Sequence, residues 1–329
     1  MLGDLTMDFV TQQNELDEEL TIIVVSYNTR ALTLRALETL YENAGDVRMR
    51  VIVWDNASAD DSADAIAAAF PQVELVRCPD NLGFAVANNR ASEMVRSEWM
   101  LLLNPDTETY PNAIAALLDF AKANPRAGIV GGRTVFPDGS LNPASCWNKI
   151  TIWSLICNAF GLAAAFPASP IFNPEGIGGW KRDSVRQVDI VVGCFLLIPT
   201  ALWRKLDGFQ AKYFMYGEEA DLCLRAAKAG YRPMITPDAQ IMHLVGASTP
   251  QLARKLLQLM QARATLVHDH WSPATRWLGL LLLQLWSFNH VIKSRLMQVI
   301  GKGGPKNDAW FELWGSRSHW LKGYGQNTN

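Results

Sequence analysis

The chain has 329 residues, of which 49% are hydrophobic and 19% charged, so it can bury a sizeable core and disorder of the whole chain is excluded. Its formal net charge of -2 provides no overall basic field, which argues against nucleic acid as a partner. The 5 cysteines show no CxxC or Cys/His ligand spacing and indicate reduced thiols in a cytoplasmic protein.

An acidic segment opens the chain. Residues 1–19 lack the basic start and apolar run of a signal peptide, and we interpret them as an N-terminal lead-in. From residue 20 to residue 130, short apolar runs alternate with helix-length segments, the pattern of βαβ units around a mostly parallel sheet. The predicted strands are residues 21–26, 50–54, 73–77 and 99–103, and the predicted helices lie near residues 31–42, 61–70 and 85–96.

The pattern loosens over residues 143–186, where Pro and Gly residues surround an apolar stretch, and we interpret this region as a variable insertion. Regular structure then resumes and completes an α/β catalytic domain over residues 20–248. The later predicted elements are a buried strand over residues 188–198, a helix from Pro199, an acidic helix over residues 218–230 and a strand over residues 232–236.

Residues 249–329 are predicted to form a C-terminal helical extension. Its apolar run LGLLLLQLW, residues 278–286, is shorter than the roughly 20 residues that usually span a bilayer. We therefore predict that residues 276–293 pack on the catalytic domain or lie at a membrane surface, and that they do not span the membrane.

Two predicted strands end in polar residues that suit a nucleotide site. The first runs into Ser26, Tyr27 and Asn28, and the second runs into Asp55. At the carboxyl edge of a parallel sheet, Asp55 can accept the imide proton of a pyrimidine while Ser26 and Tyr27 line the pocket. The competing interpretation of Asp55 is a strand followed by a turn and a helix cap.

The segment PDNLGFAVANN, residues 79–89, places Gly83 at a predicted helix start. Glycine permits tight backbone geometry, and amides at a helix start can receive phosphate oxygens. Taken alone, the segment also fits an ordinary turn. No GxGxxG follows a strand, which argues against the dinucleotide site of a dehydrogenase.

The segment WMLLLNPDTETYP, residues 99–111, runs from a wholly apolar strand directly into Asn104, Pro105 and Asp106. A carboxylate at a strand end is a hard oxygen ligand that can hold Mg²⁺ or Mn²⁺, and such an ion can bridge a diphosphate. An ordinary turn is the alternative interpretation of these three residues.

Three acids, Glu218, Glu219 and Asp221, begin a predicted amphipathic helix. A carboxylate beside a substrate can act as a general base. The positive end of the helix dipole is expected to keep these groups ionised, and the same favourable interaction is a purely structural explanation for acids in a first turn. Asp221 and Arg225 are predicted to form an i,i+4 pair on the surface.

Taken in this order, SYN, WDNAS, GFAVANN, NPD and YGEEADLCLR resemble the inverting family 2 glycosyltransferases, especially their rhamnosyltransferase-like branch. The resemblance covers roughly residues 20–246. It implies the GT-A fold, a nucleotide-sugar-binding α/β fold with a Rossmann-like, mostly parallel sheet flanked by helices, here followed by the helical extension.

The resemblance also implies roles for the matching residues. In the family, the first blocks hold the nucleotide, the triplet holds the metal and the acidic pair supplies the base, while a histidine after the last core strand can join the metal shell. The candidates are Glu219 and Glu218 for catalysis, Ser26, Tyr27, Asn28, Asp55, Gly83, Asn88 and Asn104 for the donor, and Asp106 and His243 for Mg²⁺ or Mn²⁺.

The implied reaction is the inverting transfer of one sugar to a hydroxyl of a glycan or lipid-linked acceptor, with dTDP-rhamnose favoured as donor. No QxxRW run follows the acidic helix, which favours addition of a single sugar over processive synthesis. The implied location is the cytoplasm, at the inner face of a membrane.

Two departures from the family pattern support an alternative. The triplet NPD carries one carboxylate where many relatives carry two, and the acidic pair is Glu-Glu where the family commonly has Glu-Asp. The second hypothesis is therefore a catalytically silent nucleotide-sugar-binding or scaffold protein of the same fold. Release of nucleoside diphosphate by the purified protein distinguishes the two hypotheses.

Overall fold

The computed structural model describes residues 18–244 and 252–325. Most of the predicted lead-in and the predicted domain end at residue 248 lie outside the described residues. The strands are β1 (Leu20–Ser26), β2 (Met49–Asn56), β3 (Glu74–Cys78), β4 (Trp99–Leu103), β5 (Thr107–Thr109), β6 (Val130–Val135), β7 (Cys146–Trp147), β8 (Arg186–Gln187), β9 (Ile190–Val191), β10 (Phe195–Pro199) and β11 (Met234–His243).

Helices cover both faces of the sheet and form the C-terminal region. They are α1 (Arg30–Asn43), α2 (Ser62–Ala69), α3 (Gly83–Ser92), α4 (Ala113–Ala123), α5 (Ile152–Ala159), α6 (Leu162–Ala165), α7 (Thr200–Lys205), α8 (Glu218–Lys228), α9 (Leu252–His270), α10 (Pro273–Val299), α11 (Pro305–Gly315) and α12 (Arg317–Trp320). The helices and strands predicted up to residue 103 are all present, with ends shifted by a few residues.

The central sheet has the order β3-β2-β1-β4-β10-β6-β11-β5, and β8 pairs with β11. Strands β1 to β4 are parallel neighbours, as are β6 and β11. Strand β10 runs antiparallel between β4 and β6. The predicted α/β fold with a mostly parallel sheet is therefore confirmed.

Continuous apolar runs form the central strands because both faces of the sheet are buried. All of β1 is buried, and its successive side chains alternate between two cores. Ile23 and Val25 pack in the core on one face, whereas Ile22 and Val24 pack in the core on the other.

The prediction of one buried strand over residues 188–198 was wrong. Two strands, β9 and β10, are separated by a turn that contains Gly193. Two tertiary contacts hold this turn. The Asn104 N–H donates to the Cys194 carbonyl over 3.1 Å. Gly193 packs closely on Phe84, because a Cβ on Gly193 would lie 3.3 Å from the Phe84 ring. The apolar pattern alone does not reveal this break.

The strand predicted over residues 232–236 extends in the structure to His243. Its register against β6 shifts between Thr236 and Gln240, and this irregularity accommodates Pro237, which has no N–H for the ladder. The helix α4 and the strand β6 were not predicted from the sequence.

The C-terminal helices pack around a third core with α5. Its largest fully buried side chain is Trp320, which lies beside Trp310, Leu283 and Leu155. Within residues 18–244 and 252–325, none of the helices combines the length and the apolar composition that a membrane span requires.

Candidate active site

A cleft of about 890 Å³ lies at the carboxyl ends of β1, β2 and β4. Its other walls are the start of α8, the end of β11 and the first part of α9. Functional residues are expected in such a crevice at the strand ends of an open α/β sheet. The sequence-predicted residues that line it are Tyr27, Asn28, Gly83, Asn104, Asp106, Glu218, Glu219 and His243.

Asp106 and His243 lie together although 137 positions separate them in the chain. The antiparallel register of β5 and β11 pairs Thr107 with His243, and the Leu244 N–H donates to the Asp106 carbonyl over 3.1 Å. As a result, His243 Nε2 is 3.3 Å from Asp106 Oδ1, and both side chains are buried. Burial alone lowers the pKa of His243, but Cys194 and Asp106 outweigh it and raise that pKa to about 10.

Asp106 and the neutral form of His243 could hold a divalent cation that is completed by substrate; the cation would replace the proton that the raised pKa keeps on His243 in its absence. Two ligand atoms on one octahedral Mg²⁺ lie about 3 Å apart, close to the 3.3 Å between Nε2 and Oδ1. The nearby Asn104 Oδ1 is buried without a hydrogen-bond partner. Residues 18–244 and 252–325 contain no cluster of three or more His, Cys, Asp or Glu ligands, so diphosphate oxygens and water would have to fill the remaining positions.

Glu218 and Glu219 begin α8 and also line the cleft. The preceding Gly217 has φ +91°, a left-handed conformation that starts the helix directly beside the cleft. Glu218 is buried and Glu219 is partly exposed, while the Oε2 atom of each has no hydrogen-bond partner. Glu219 as a whole residue is therefore less buried than Glu218, although the Oε2 atom of each is buried.

At both carboxyl groups, burial opposes the ionised form that the helix dipole was expected to favour. Burial raises the pKa of Glu219. Burial and the charge of Glu219 together raise the pKa of Glu218 well above its usual value. Desolvation disfavours the charged form of a buried carboxyl group, and here it exceeds the stabilisation by the helix start.

The Asp221–Arg225 pair was predicted at the surface, but the structure buries Asp221 and covers most of Arg225. Asp221 Oδ2 accepts from Arg225 Nε over 2.7 Å, and His270 Nε2 lies 2.8 Å from Asp221 Oδ1. Arg225 also donates to the Gly208 carbonyl over 2.7 Å. The buried network therefore ties α8 to α9 and fixes the helix that carries Glu219.

Three of the predicted donor residues, Ser26, Asp55 and Asn88, do not line the cleft, and Ser26 and Asn88 lie behind its wall. The Ser26 hydroxyl is buried and bonds to those of Thr29 and Thr33 at 3.1 Å and 3.0 Å. Asn88 donates its side-chain N–H to the Phe84 carbonyl over 2.8 Å. Both residues therefore support the elements that line the cleft, whereas Tyr27 and Asn28 line it directly.

Asp55 is buried at the end of β2, and its neighbour Asn56 lines the cleft. Asp55 Oδ2 accepts from the Ser58 N–H over 3.2 Å, as the turn interpretation predicts. Its Oδ1 has no hydrogen-bond partner in the protein. Binding of a pyrimidine imide by Asp55 stays a prediction. Sequence analysis missed Asn56, although it follows Asp55 directly at the same strand end.

The amides of Leu82, Gly83 and Phe84 are paired within the protein, so these three donors are not free for the phosphate oxygens that the sequence suggested. The Gly83 N–H donates to Asn81 Oδ1 over 3.0 Å, and the Leu82 N–H donates to Asn56 Oδ1 over 3.0 Å. The Phe84 N–H donates to the Phe214 carbonyl over 2.8 Å. Gly83 instead permits close contact between α3 and the segment before α8.

We expect Gly83→Ala to lower the free energy of unfolding by more than the cost of placing an alanine at a positive φ. Gly83 has φ +76°, and a Cβ there would lie 2.5 Å from the Phe214 carbonyl oxygen. A positive φ costs an alanine roughly 1–2 kcal/mol, and overpacking typically adds about 1–3 kcal/mol. The measurement is the free energy of unfolding in denaturant.

Gly139→Ala is the matched control for this substitution. Gly139 has φ +78°, but a Cβ there meets nothing within 4 Å, so only the backbone cost should apply. Equal destabilisation of the two variants would contradict a steric role for Gly83.

The C-terminal extension completes the cleft, which the sequence did not predict. The first part of α9 forms the wall, because nine of its residues between Arg254 and Leu266 line the cleft, among them Lys255, Gln258, Leu259, Ala262 and Arg263. A second helix of the extension, α10, also reaches the cleft through Trp286.

Within this wall, the Arg263 guanidinium lies 5.0 Å from the Trp286 ring centre and pairs with Glu175 of the predicted insertion. A helical pattern is visible in the sequence of α9. Which part of α9 meets the cleft depends on tertiary packing.

Comparisons with known proteins identify related sequences and a related fold. The family described as Glycosyl transferase family 2 matches residues 21–188. The N-acetylglucosaminyl-diphospho-decaprenol L-rhamnosyltransferase of Mycobacterium tuberculosis is 30% identical over 248 residues, 71% of this chain and 78% of that protein. Rhamnosyltransferase WbbL of Escherichia coli is 27% identical over 234 residues, 68% of this chain and 82% of that protein.

A solved structure supports the fold assignment. The mannosyltransferase PcManGT from Pyrobaculum calidifontis, in complex with GDP-Man and Mn²⁺, matches with a TM-score of 0.57. The match covers 95% of this chain and 94% of the mannosyltransferase at 17% identity. At this identity, the match is evidence for the fold alone.

Proposed function

Because the chain belongs to glycosyl transferase family 2, in its rhamnosyltransferase-like branch, we propose that this glycosyltransferase moves one rhamnose from dTDP to a hydroxyl of a glycan or lipid-linked acceptor. The names of the two rhamnosyltransferase relatives support the choice of sugar, and the decaprenol-linked substrate of one supports the choice of acceptor. The central structural observation is that the Asp106–His243 pair and the Glu218–Glu219 pair line one cleft.

In the proposed reaction, Glu219 accepts the proton of the acceptor hydroxyl. The acceptor oxygen then bonds to the anomeric carbon as the bond from that carbon to the diphosphate breaks, which inverts the configuration. Three features support Glu219 as the base: it lies on the cleft wall, it is partly exposed, and its Oε2 has no protein partner. Glu218 is more deeply buried and would shape the pocket around it.

Asp106 and His243 would hold a divalent cation, Mg²⁺ or Mn²⁺. When bound, such an ion supplies positive charge that stabilises the departing nucleoside diphosphate. Tyr27, Asn28 and Asn56 at the strand ends would hold the nucleoside, and Asp55 would accept the imide proton of thymine.

We further propose that residues 20–248 form the catalytic domain and that residues 249–329 form an extension that closes the cleft. The lining of the cleft by α9 supports this division of roles. The proposed location is the cytoplasm, at the inner face of the membrane that holds a lipid-linked acceptor.

The test is a donor screen with purified full-length protein, read as nucleoside diphosphate release and as the mass of the product. Donors should include dTDP-rhamnose and hexose nucleotides, each with Mg²⁺, with Mn²⁺ and with chelator. The acceptor is an N-acetylglucosaminyl diphospholipid, and the matched control is the lipid diphosphate without its sugar. We expect transfer of one deoxyhexose that requires dTDP-rhamnose and the sugar-bearing acceptor.

Two outcomes would contradict the proposal. Transfer from a different donor would overturn the choice of rhamnose while leaving the reaction class intact. Nucleotide binding without release of nucleoside diphosphate from any donor would favour the scaffold hypothesis.

A further inference from the structure

The helix α10 carries a row of exposed apolar side chains along one face. Trp277, Leu281, Phe288, Ile292 and Leu296 are 42–61% exposed. Their spacing of four and seven residues returns to the same face of a helix, and the row is about 29 Å long at the usual helical rise of 1.5 Å per residue. Large apolar side chains grouped this way on a surface mark an interaction site.

The opposite face of α10 packs against the rest of the protein. Gly279, Leu282, Leu283 and Ser287 are buried there, and a Cβ on Gly279 would lie 2.9 Å from both the Trp271 ring and Val267. The helix is therefore held firmly on one side. The apolar row on its other side remains exposed, although the Phe288 ring centre lies 5.2 Å from that of Trp314 in α11.

A second exposed apolar group lies beside this row. Trp153, Phe160, Phe166 and Ile171, from α5 and the segment after it, are 44–63% exposed. The Asn289 side chain donates to the Ala159 carbonyl over 2.7 Å, which places Phe160 next to the middle of the row. The row and this group, called here the apolar face, form neighbouring parts of one surface.

Basic residues outnumber acidic ones near the apolar face. Residues 271–315 include the basic residues Arg276, Lys293, Arg295, Lys302 and Lys306 and the two acidic residues Asp308 and Glu312. Basic residues beside an apolar helical face favour an anionic lipid surface. A second copy of the chain docked on the same face would bring these like charges together, which disfavours a symmetric dimer.

The same helix connects the apolar face to the cleft. Trp286 of α10 lines the cleft, roughly half a helical turn away from the row that begins at Trp277. The cleft wall and the apolar face are thus two sides of one helix. A surface that bound the apolar face would lie about one helix diameter from the cleft.

We propose that the apolar face docks on an anionic lipid bilayer and holds the cleft beside the membrane surface. This inference rests on the proposed function. In this arrangement, an acceptor keeps its lipid tail in the bilayer while its sugar enters the cleft. The helix lies in the membrane interface with its apolar side inserted, and it does not span the bilayer.

The test is co-sedimentation of the full-length chain with vesicles of phosphatidylcholine alone or mixed with phosphatidylglycerol, without donor or acceptor. The test variant is Leu281→Ser, Phe288→Ser and Ile292→Ser combined, and the matched control is Val185→Ser, which changes a 48% exposed side chain before β8. We expect binding to mixed vesicles that weakens by at least about tenfold in the triple variant and is unchanged in the control. Far-ultraviolet circular dichroism and thermal unfolding verify that each variant folds.

A second arm replaces Lys293, Lys302 and Lys306 with Gln, which should weaken binding to mixed vesicles but not to phosphatidylcholine alone. Equal vesicle binding by wild type and the triple Ser variant would overturn the proposal. The proposal would also be overturned if the wild type were a dimer and the triple Ser variant a monomer, because a second copy of the chain would then be what binds the apolar face. Because these assays need no transfer, their result stands separately from the proposed reaction.

Discussion

Glu219→Gln is expected to lower turnover by about 10²- to 10⁴-fold, the range attributed to acid–base catalysis, while donor binding persists. The amide has nearly the shape of the carboxyl group but cannot accept the acceptor's proton. Glu219 lines the cleft with an Oε2 that has no protein partner, so the substitution should disturb little structure. The measurements are turnover with saturating donor and nucleotide affinity by calorimetry.

Glu218→Gln is the matched control because it makes the same change one residue away. Consecutive helical residues point about 100° apart, and Glu218 is the more buried of the pair. Its variant should keep more activity than Glu219→Gln or lose acceptor affinity instead. If Glu219→Gln kept wild-type turnover and Glu218→Gln lost turnover, Glu218 would be the base. If both variants stayed active, the pair would have only a structural role.

The raised pKa values of these two groups predict opposite pH trends for activity and stability. The base must be ionised, so kcat/KM should rise with pH through the pKa of Glu219, which lies above its usual value. A carboxyl group whose folded pKa exceeds its unfolded pKa binds its proton more tightly in the folded state. Stability is therefore lost as pH rises from the unfolded pKa through the folded pKa.

Glu218→Gln consequently should be more thermally stable than wild type at neutral pH and lose that advantage in acid. Burial raises the pKa of Glu218 well above its usual value, and the neutral amide avoids the cost of burying a charge. Thermal unfolding of both proteins from acid to neutral pH measures the effect. A difference in thermal stability between the two proteins that stays the same from acid to neutral pH would contradict the raised pKa of Glu218.

Asp106→Asn is expected to abolish the stimulation of transfer by Mg²⁺ or Mn²⁺. The substitution removes the charged oxygen ligand that lies 3.3 Å from His243 Nε2, and hard divalent cations depend on carboxylate oxygens. The amide oxygen can still accept a hydrogen bond, so the fold should change little. Binding of Mn²⁺ in the presence of nucleoside diphosphate, followed by electron paramagnetic resonance, tests the ligand directly.

The control is Asp119→Asn, which makes the same chemical change at an exposed position of α4. It should leave metal affinity and turnover at wild-type values. Full turnover and an unchanged metal response in folded Asp106→Asn would refute the assignment of Asp106.

The sequence by itself determined the parallel strands and the order of the functional segments. Buried strands require continuous apolar runs, and each run here stops where a polar side chain reaches the sheet edge, as Leu103 gives way to Asn104 and Asp106. Strand ends in such a sheet converge on one crevice. This local rule was enough to predict that Tyr27, Asn104 and Asp106 line a common site.

Only the tertiary structure decided which neighbours these residues have. The β5–β11 register brings His243 to Asp106, and the packing of α9 on α8 buries Asp221 and makes a cleft wall from Arg263. Burial also raises the pKa of Glu219 despite its place at a helix start. Each of these results depends on segments far apart in the chain, whose contacts and solvent exclusion arise only when the helices and the sheet pack together.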